Sequence, residues 1–365
     1  MTRGRDGTLV AVGEATLATR HGDFVVHRFH NCTTSTPALA VTYGDVTTAE
    51  PLSARVHSSC VTSEAYGACD CDCAEQLEAA LAHIAARGRG VLFYLMQEGR
   101  GAGFVAKALD RMLVQASGAR LTTFEAYARL GLPDDQRTYG EVAAMARLLG
   151  VGGPLRLLSN NPDKVAALRA TGAAVDGTEP LRVGASAYSQ HYLDAKARAG
   201  HTVAPTAGID PAVPPEPVSV LEPEPLATAP RFVRLAAYLL PVRRAAAAWF
   251  HLHVYLDTVA QHERVVLTHG SGGDVLVRLQ RETLLDRFAL QRPRFRPGWD
   301  DAVTRMVAHG RGMALFADAD DDVADVVGPL VRAHVNGARG VPLVLDTDEP
   351  GDSALVRAAL VPTGS

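Results

Sequence analysis

Gly90-Val-Leu-Phe-Tyr-Leu-Met96 is an unbroken apolar run of strand length, set between two different kinds of punctuation. Upstream, from Glu75, residues Leu77, Ala80, Leu81 and Ile84 recur at the i, i+3, i+4, i+7 spacing of an amphipathic helix that Gly88 ends. Downstream, Gln97-Glu-Gly-Arg-Gly-Ala-Gly103 is a Gly-rich turn that opens into a second helix. Helix, buried strand, turn and helix in this order predict an α/β domain. Working outward, residues 23–29 and 38–43 read as strands separated by a polar Thr/Ser turn, and Pro51 to Val56 enters another. After the second helix come two more helices and the strand Leu155-Arg-Leu-Leu158.

The chain has 365 residues, 47% hydrophobic and 21% charged, a globular composition long enough for two domains. Its net charge of −4 offers no overall field for nucleic acid or anionic lipid. No apolar run approaches the ~20 residues that cross a bilayer. No apolar signal-peptide core follows Met1, so a cytosolic protein is expected. Eight of the 21 prolines crowd into residues 201–230, too many for a packed element. That stretch reads as a semi-extended linker between residues 1–200 and 231–365.

The second half repeats the first in degraded form. Asp23-Phe-Val-Val-His-Arg-Phe29 parallels Trp249-Phe-His-Leu-His-Val-Tyr255, and Val41-Thr-Tyr-Gly44 parallels Leu267-Thr-His-Gly270. Ala54–Cys60 parallels Val277–Thr283, and Gly88-Arg-Gly-Val-Leu-Phe93 parallels Gly310-Arg-Gly-Met-Ala-Leu315. Gly153-Pro-Leu-Arg-Leu157 parallels Val341-Pro-Leu-Val-Leu345, with Asn161-Pro162 against Glu349-Pro350. Any one match would be chance; five in the same order predict a duplication whose second copy has largely lost its middle section.

Four of the five cysteines lie between Cys60 and Cys73. A disulfide framework would spread its half-cystines across the fold and need an oxidising compartment, so the cluster reads as metal ligation. In Cys60-x10-Cys71-Asp-Cys73, three thiolates can hold zinc with water in the fourth position, the open arrangement of a catalytic site. A structural site with a fourth ligand from Cys69 or His57 fits the spacing equally well.

Arg55-Val-His-Ser-Ser-Cys60, Cys71-Asp-Cys73…Gln76-Leu-Glu-Ala-Ala-Leu81 and Gln97-Glu-Gly-Arg-Gly101 together resemble the signature blocks of GTP cyclohydrolase II. The resemblance runs on through Leu130-Gly, Asp135-Gln-Arg137, Leu157-Leu-Ser-Asn-Asn-Pro-Asp-Lys164 and His191-Tyr-Leu-Asp-Ala-Lys196, covering about residues 10 to 200. It implies an α/β GTP cyclohydrolase II-like domain followed by a reduced, degenerate repeat. It also implies Cys60, Cys71 and Cys73 as zinc ligands, with no counterpart for Cys69. By the same carry-over Arg55, Val56, His57, Ser58, Ser59, Gln76, Glu98, Gly99, Arg100, Thr123, Ser159 and Lys164 line a GTP site. In the Gly-rich turn, exposed N–H groups at a helix start favour anions, Arg100 suits phosphate or guanine oxygens, and Glu98 could accept from guanine N–H groups. The resemblance makes Asp135 a proton acceptor and puts Arg137 at the α-phosphate. A guanidinium stays protonated, so stabilising charge as pyrophosphate leaves is its simplest role. From composition alone, Leu132–Arg137 is a surface turn with a local ion pair.

The implied reaction is zinc-dependent hydrolytic opening of the guanine imidazole ring of GTP, with Mg²⁺ accompanying the triphosphate and a product that feeds riboflavin synthesis. The family's homodimers imply a homodimer here, or a pseudo-dimer in which the second copy docks against residues 1–200. This sequence departs from the family at several points. Ser59 stands for a usual Glu, Asp70 for a usual Arg, Met96 for an Arg, Tyr127 for an Asn and Thr138 for an Asp. Arg111 or Met112 falls where a catalytic tyrosine is usual. In the second copy the cysteine positions fall on Thr283, Arg294 and Arg296, and Ala317-Asp-Ala-Asp-Asp-Asp322 replaces the Gly-rich turn, so that half is expected to hold no zinc. Three functions are therefore open: the complete riboflavin-pathway enzyme, a divergent cyclohydrolase that stops at the formamide or handles another purine nucleotide, and a non-catalytic nucleotide-binding pseudoenzyme or zinc module.

Overall fold

The computed structural model describes residues 5–159, 161–243, 248–282, 298–318, 321–335 and 343–347. The first half holds strands β1 (Arg5–Asp6), β2 (Leu9–Thr19), β3 (Gly22–Asn31), β4 (Thr36–Tyr43), β5 (Leu52–Ser58), β6 (Gly90–Leu95), β7 (Leu155–Leu158) and β8 (Val175–Glu179). They form one sheet in the order β1-β2-β3-β4-β6-β5-β7-β8, antiparallel as far as β6 and parallel beyond it. Its helices are α1 (Val61–Glu64), α2 (Cys73–Ala86), α3 (Phe104–Ala116), α4 (Thr123–Arg129), α5 (Gly140–Leu148), α6 (Pro162–Ala170) and α7 (Gln190–Arg198).

The apolar run at Gly90 becomes β6, buried along its whole length because the sheet is covered on both faces. On one face the periodic residues Leu77, Ala80, Leu81 and Ile84 of α2 pack on Phe24, Val26, Leu39, Val41, Leu92 and Tyr94. On the other, Val142 and Met145 of α5 and Leu168 of α6 pack on Phe29, Ala38, Ala40, Val56 and Phe93. Strand β2 was not legible in the sequence. Its middle, Val12 to Thr16, is exposed, so apolar alternation is lost there.

The second half contains β9 (Glu224–Leu226), β10 (Ala229–Val242), β11 (Ala248–Asp257), β12 (His262–Gly270), β13 (Val275–Glu282), α8 (Trp299–His309), β14 (Arg311–Asp318), α9 (Gly328–His334) and β15 (Leu343–Thr347). Its sheet runs β9-β10-β11-β12-β14-β13-β15, the order of β1 to β7 with the same parallel and antiparallel choices. Register matches as well. Val26 faces Val41 as Leu252 faces Leu267, Val41 faces Leu92 as Leu267 faces Ala314, and Ala54 faces Leu157 as Val277 faces Leu345. A one-residue slip would turn each strand's apolar set to the wrong face, so shared register establishes the repeat. Gly44 and Gly270 share a positive φ, and a Cβ on either would run into the carbonyl of Gly88 or Gly310 respectively. Positions 283, 294, 296, 349 and 350 lie outside the described residues.

The second sheet begins inside the Pro-rich segment, at Glu224 rather than after residue 230. Pro225 is tolerated because β9 is an edge strand, where a missing N–H breaks no ladder. The two halves touch: Val61, Tyr66, Ala68, Ala108 and Met112 share one apolar cluster with Tyr238, Leu240, Val242, Trp299 and Phe316.

Candidate functional site

Strand β5 ends at the sheet's centre, and the chain leaving it runs Ser59-Cys60 into α1. The N-terminus of α2 brings back Cys71 and Cys73. The sulfurs of Cys60, Cys71 and Cys73 all lie within 4.8 Å of one another, with Cys60 Sγ 3.7 Å from Cys71 Sγ. A tetrahedral zinc with Zn–S of about 2.3 Å sets its sulfurs about 3.8 Å apart, so the three thiols fit that ion. Cys69 stands outside the group, its Sγ 3.3 Å from the Pro241 carbonyl. His57 is not spare either: its Nε2 lies 2.8 Å from Glu64, whose other oxygen takes the Tyr94 hydroxyl. Among the described residues no fourth His, Cys, Asp or Glu joins the cluster.

The Lys107 Nζ lies 3.0 Å from Cys60 Sγ and 2.7 Å from Glu98 Oε1. Hydrogen bonds from the Cys71 and Cys73 thiols, with Lys107 behind them, hold the Cys60 thiol well below its ordinary range; Cys71 and Cys73 are pushed up in turn. Thiolate character is the state that ligates metal.

Beside the thiols a cleft of about 700 Å³ is lined by Arg55, Arg100, Arg137, Lys164 and Lys196, with Ser58, Gln76, Ser159 and Tyr192. Among the described residues that line it there is no carboxylate. Arg55 is buried, donating to the Leu158 carbonyl at 2.8 Å and to Gln76 at 2.6 Å; burial lowers it to about 10. Lys164 donates to the Val56 carbonyl at 3.1 Å, and burial together with Arg55 and Arg137 pushes its ammonium well down. Mutual repulsion of this kind is relieved by an anion. The hydroxyls of Ser58 and Ser59 and the Nδ1 of His57 are buried without a hydrogen-bond partner. Orphaned polar atoms at one place mark a polar ligand's site.

A second lobe continues past the sulfurs, walled by Glu98, Gly99, Lys107, Asp110, Arg111, Thr123 and Tyr127. Thr123 donates to Asp110 at 2.7 Å, and the Tyr127 hydroxyl donates to the Gly99 carbonyl at 2.8 Å. Arg111, not Met112, faces this lobe; Met112 is buried against the second half. The Arg111 Nε lies 3.5 Å from Asp70 Oδ2, so the two departures from the family pattern pair with each other.

Three expectations need correction. The Gly-rich turn spends most of its amides on itself: it tightens into a 3₁₀ turn at Gly99–Gly101, and the N–H groups of Gly99, Gly101, Ala102 and Gly103 bond within it. The cations that line the cleft are side chains. The Glu98 carboxylate takes the Val61 N–H at 2.7 Å as well as Lys107, so it is committed to the protein. The Val56 side chain belongs to the core, and only its carbonyl reaches the site, through Lys164. Asp135 and Arg137 do form the local ion pair, Nε to Oδ1 at 2.9 Å, and Arg137 alone of the two lines the cleft.

Sequence reasoning passed over Lys107, Tyr192, Lys196 and His201, which also face the cleft. The signal was present: Lys107 and Arg111 are four residues apart on α3, as are Tyr192 and Lys196 on α7, each pair on one helix face.

The family model for GTP cyclohydrolase II matches residues 10–180 and 239–350. The chain belongs to the GTP cyclohydrolase II family. The second matched segment begins within β10, so the family pattern is met twice, as the paired sheets require. Residues of the chain are 44% identical over 194 positions to the GTP cyclohydrolase-2 of Cronobacter sakazakii, covering 53% of this chain and 96% of that protein. Identity is 43% over 194 positions with the Citrobacter koseri protein of the same name, covering 53% and 97%. For that of Escherichia fergusonii it is 42% over 199 positions, covering 54% and 98%. Such relatives correspond to one half of this chain, and the family is one of hydrolases. No helix among the described residues is long and apolar enough to cross a membrane.

Proposed function

We propose that the first half opens the imidazole ring of GTP by zinc-dependent hydrolysis, releasing pyrophosphate. The observation that carries this is the junction of a three-thiol cluster with a cleft lined by five cations. A triphosphate brings several negative charges, and Arg55, Arg100, Arg137, Lys164 and Lys196 face it from the cleft wall, with the carboxylates of Asp135 behind Arg137 and of Asp72 behind Lys196. The base then extends past Ser58 and Ser59, whose orphaned hydroxyls can bond its polar edge, towards Cys60, Cys71 and Cys73. Mg²⁺ travels with the triphosphate.

Zinc, held by the three thiolates, supplies Lewis acidity and makes water a nucleophile near neutral pH. Lys107 offsets the thiolates' charge and keeps Glu98 in place. Water adds at C8, the carbon between two ring nitrogens, and the C8–N9 bond breaks to leave a formamide. A second water displaces pyrophosphate at the α-phosphorus, and Arg137, oriented by Asp135, stabilises the charge that develops as it departs. By the family resemblance, Asp135 serves as the proton acceptor. Among the three functions weighed, the divergent cyclohydrolase fits best, because Arg111 occupies the wall where the family carries a tyrosine. The second hydrolysis, which frees formate and yields the diaminopyrimidine of riboflavin synthesis, is the step this change slows.

Chelation tests the reading. Protein stripped of metal should lose GTP turnover and regain it with one equivalent of zinc. Unchanged turnover after complete removal would overturn zinc dependence.

A further inference from the structure

The loop that joins two of the cluster's thiols, Cys60 to Cys71, is not held by its own half alone. The Cys69 N–H donates to the Pro241 carbonyl at 3.0 Å and the Arg243 N–H to the Gly67 carbonyl at 2.8 Å. Between them Ala68 and Val242 form an antiparallel bridge, so the loop adds itself to the end of β10. The Trp299 indole N–H donates to the Tyr66 carbonyl at 3.2 Å, and the Tyr66 ring lies on Phe316 with centroids 3.9 Å apart. Helix α3 is gripped in the same way. Its cleft face carries Lys107 and Arg111, while Gln115 exchanges hydrogen bonds of 2.6 and 2.9 Å with the Leu239 main chain.

The receiving face differs from its counterpart in the first half. Matching register makes Gly13, Ala15 and Arg28 the equivalents of Ala236, Tyr238 and Val254. The first three are exposed; the second three are fully buried. An arginine in one copy is a core valine in the other, and an exposed alanine is a buried tyrosine. The second copy thus presents an apolar seat for the first copy's metal loop where the first copy's own face is exposed.

We propose that the second half is a built-in clamp that positions the metal ligands: by fixing residues 66–69 and α3 it holds Cys60, Cys71 and Lys107 in register. This rests on the assignment of Cys60, Cys71 and Cys73 as the zinc ligands. A ten-residue loop left to itself would have to be ordered by the metal, and that entropy would be drawn from binding. Trp299 and Gln115 are positioning residues, since neither touches the cleft.

The test uses the full chain with Trp299→Phe and Gln115→Ala combined. These changes remove three hydrogen bonds and keep most of the apolar bulk. Transfer of zinc to an excess of chelator should be about tenfold faster than in the unaltered chain. Amide exchange across residues 61–70 should rise with it, while peptides from β3 and β4 keep their protection. Should those reference peptides also lose protection, Gln115→Ala alone carries the test, with an acceleration of about threefold expected. Zinc transfer at the unaltered rate, with or without faster exchange of the loop, would overturn the clamp. Zinc held by Cys71→Ser as tightly as by the unaltered chain would instead overturn the ligand assignment beneath it.

Discussion

The Nζ of Lys107 stands 3.0 Å from the Sγ of Cys60, tying α3 to the metal cluster. It also faces Glu98, whose carboxyl burial pushes up and Lys107 pulls back down. Lys107→Met would leave a buried carboxylate without its cation, which is strongly destabilising for the ionised form. The variant should bind zinc at least about tenfold more weakly and lose turnover in proportion. Zinc titration against a chelator of known affinity reads this directly, and unchanged affinity would refute the role.

The two kinds of buried cysteine should behave differently. Cys71→Ser should abolish zinc binding and ring opening, whereas Cys69→Ser should keep one zinc per chain and most of the activity. Burial, with Asp70 beside it, pushes the Cys69 thiol up to about 12, so it stays protonated at neutral pH. Elemental analysis finding two zincs per chain, or metal lost with Cys69, would disprove the three-ligand set.

Much of this architecture was legible because its signals are local. The period of α2, the solid apolar run of β6 and the close spacing of the cysteines each sit within a dozen residues. Five parallel segments also foretold the second sheet, since shared register preserves the spacing of buried positions. What escaped is what depends on partners distant in sequence. The exposed middle of β2 masks its alternation, and the cleft roles of Lys107 and Lys196 arise only when α3 and α7 converge there, with Arg111 over the Tyr192 ring. The turn at Gly99 misled for a related reason: a Gly-rich string shows where the chain can bend, not where its amides point.

Arg111 should leave a kinetic mark. In initial turnovers, pyrophosphate should appear faster than formate, because Arg111 puts no phenol at its own position and the Tyr127 hydroxyl in that lobe is already given to the Gly99 carbonyl. Arg111→Tyr, made with Asp70→Asn to avoid an unpaired acid, should bring the two rates closer together. Equimolar formate and pyrophosphate from the unaltered protein would contradict this.

The second half carries an acid-sensitive anchor. Asp257 accepts from Arg231 at 2.7 and 2.9 Å and from the Val259 and Ala260 N–H groups at 3.1 Å. Burial pushes its carboxyl up, but these donors outweigh that and hold it at about 2. A folded-state value below the unfolded one stabilises at higher pH, and that stability fades as pH falls from about 4 to about 2. Its ceiling is about 2 kcal/mol. Asp257→Asn should lower the melting temperature at pH 7 and flatten its dependence on pH across that window. A variant whose acid profile overlays that of the unaltered chain would show the anchor contributes nothing.

The central claim is that this cleft opens a guanine ring, and one measurement addresses it most directly. The zinc-loaded full chain is incubated with Mg²⁺ and GTP carrying carbon-13 at C8, and the products are followed by mass spectrometry and carbon NMR. The account predicts pyrophosphate and a ring-opened pyrimidine whose labelled carbon appears first as a formamide and only later as free formate. Label that stays in an intact guanine, with GTP unconsumed or merely shortened to its monophosphate, would contradict it.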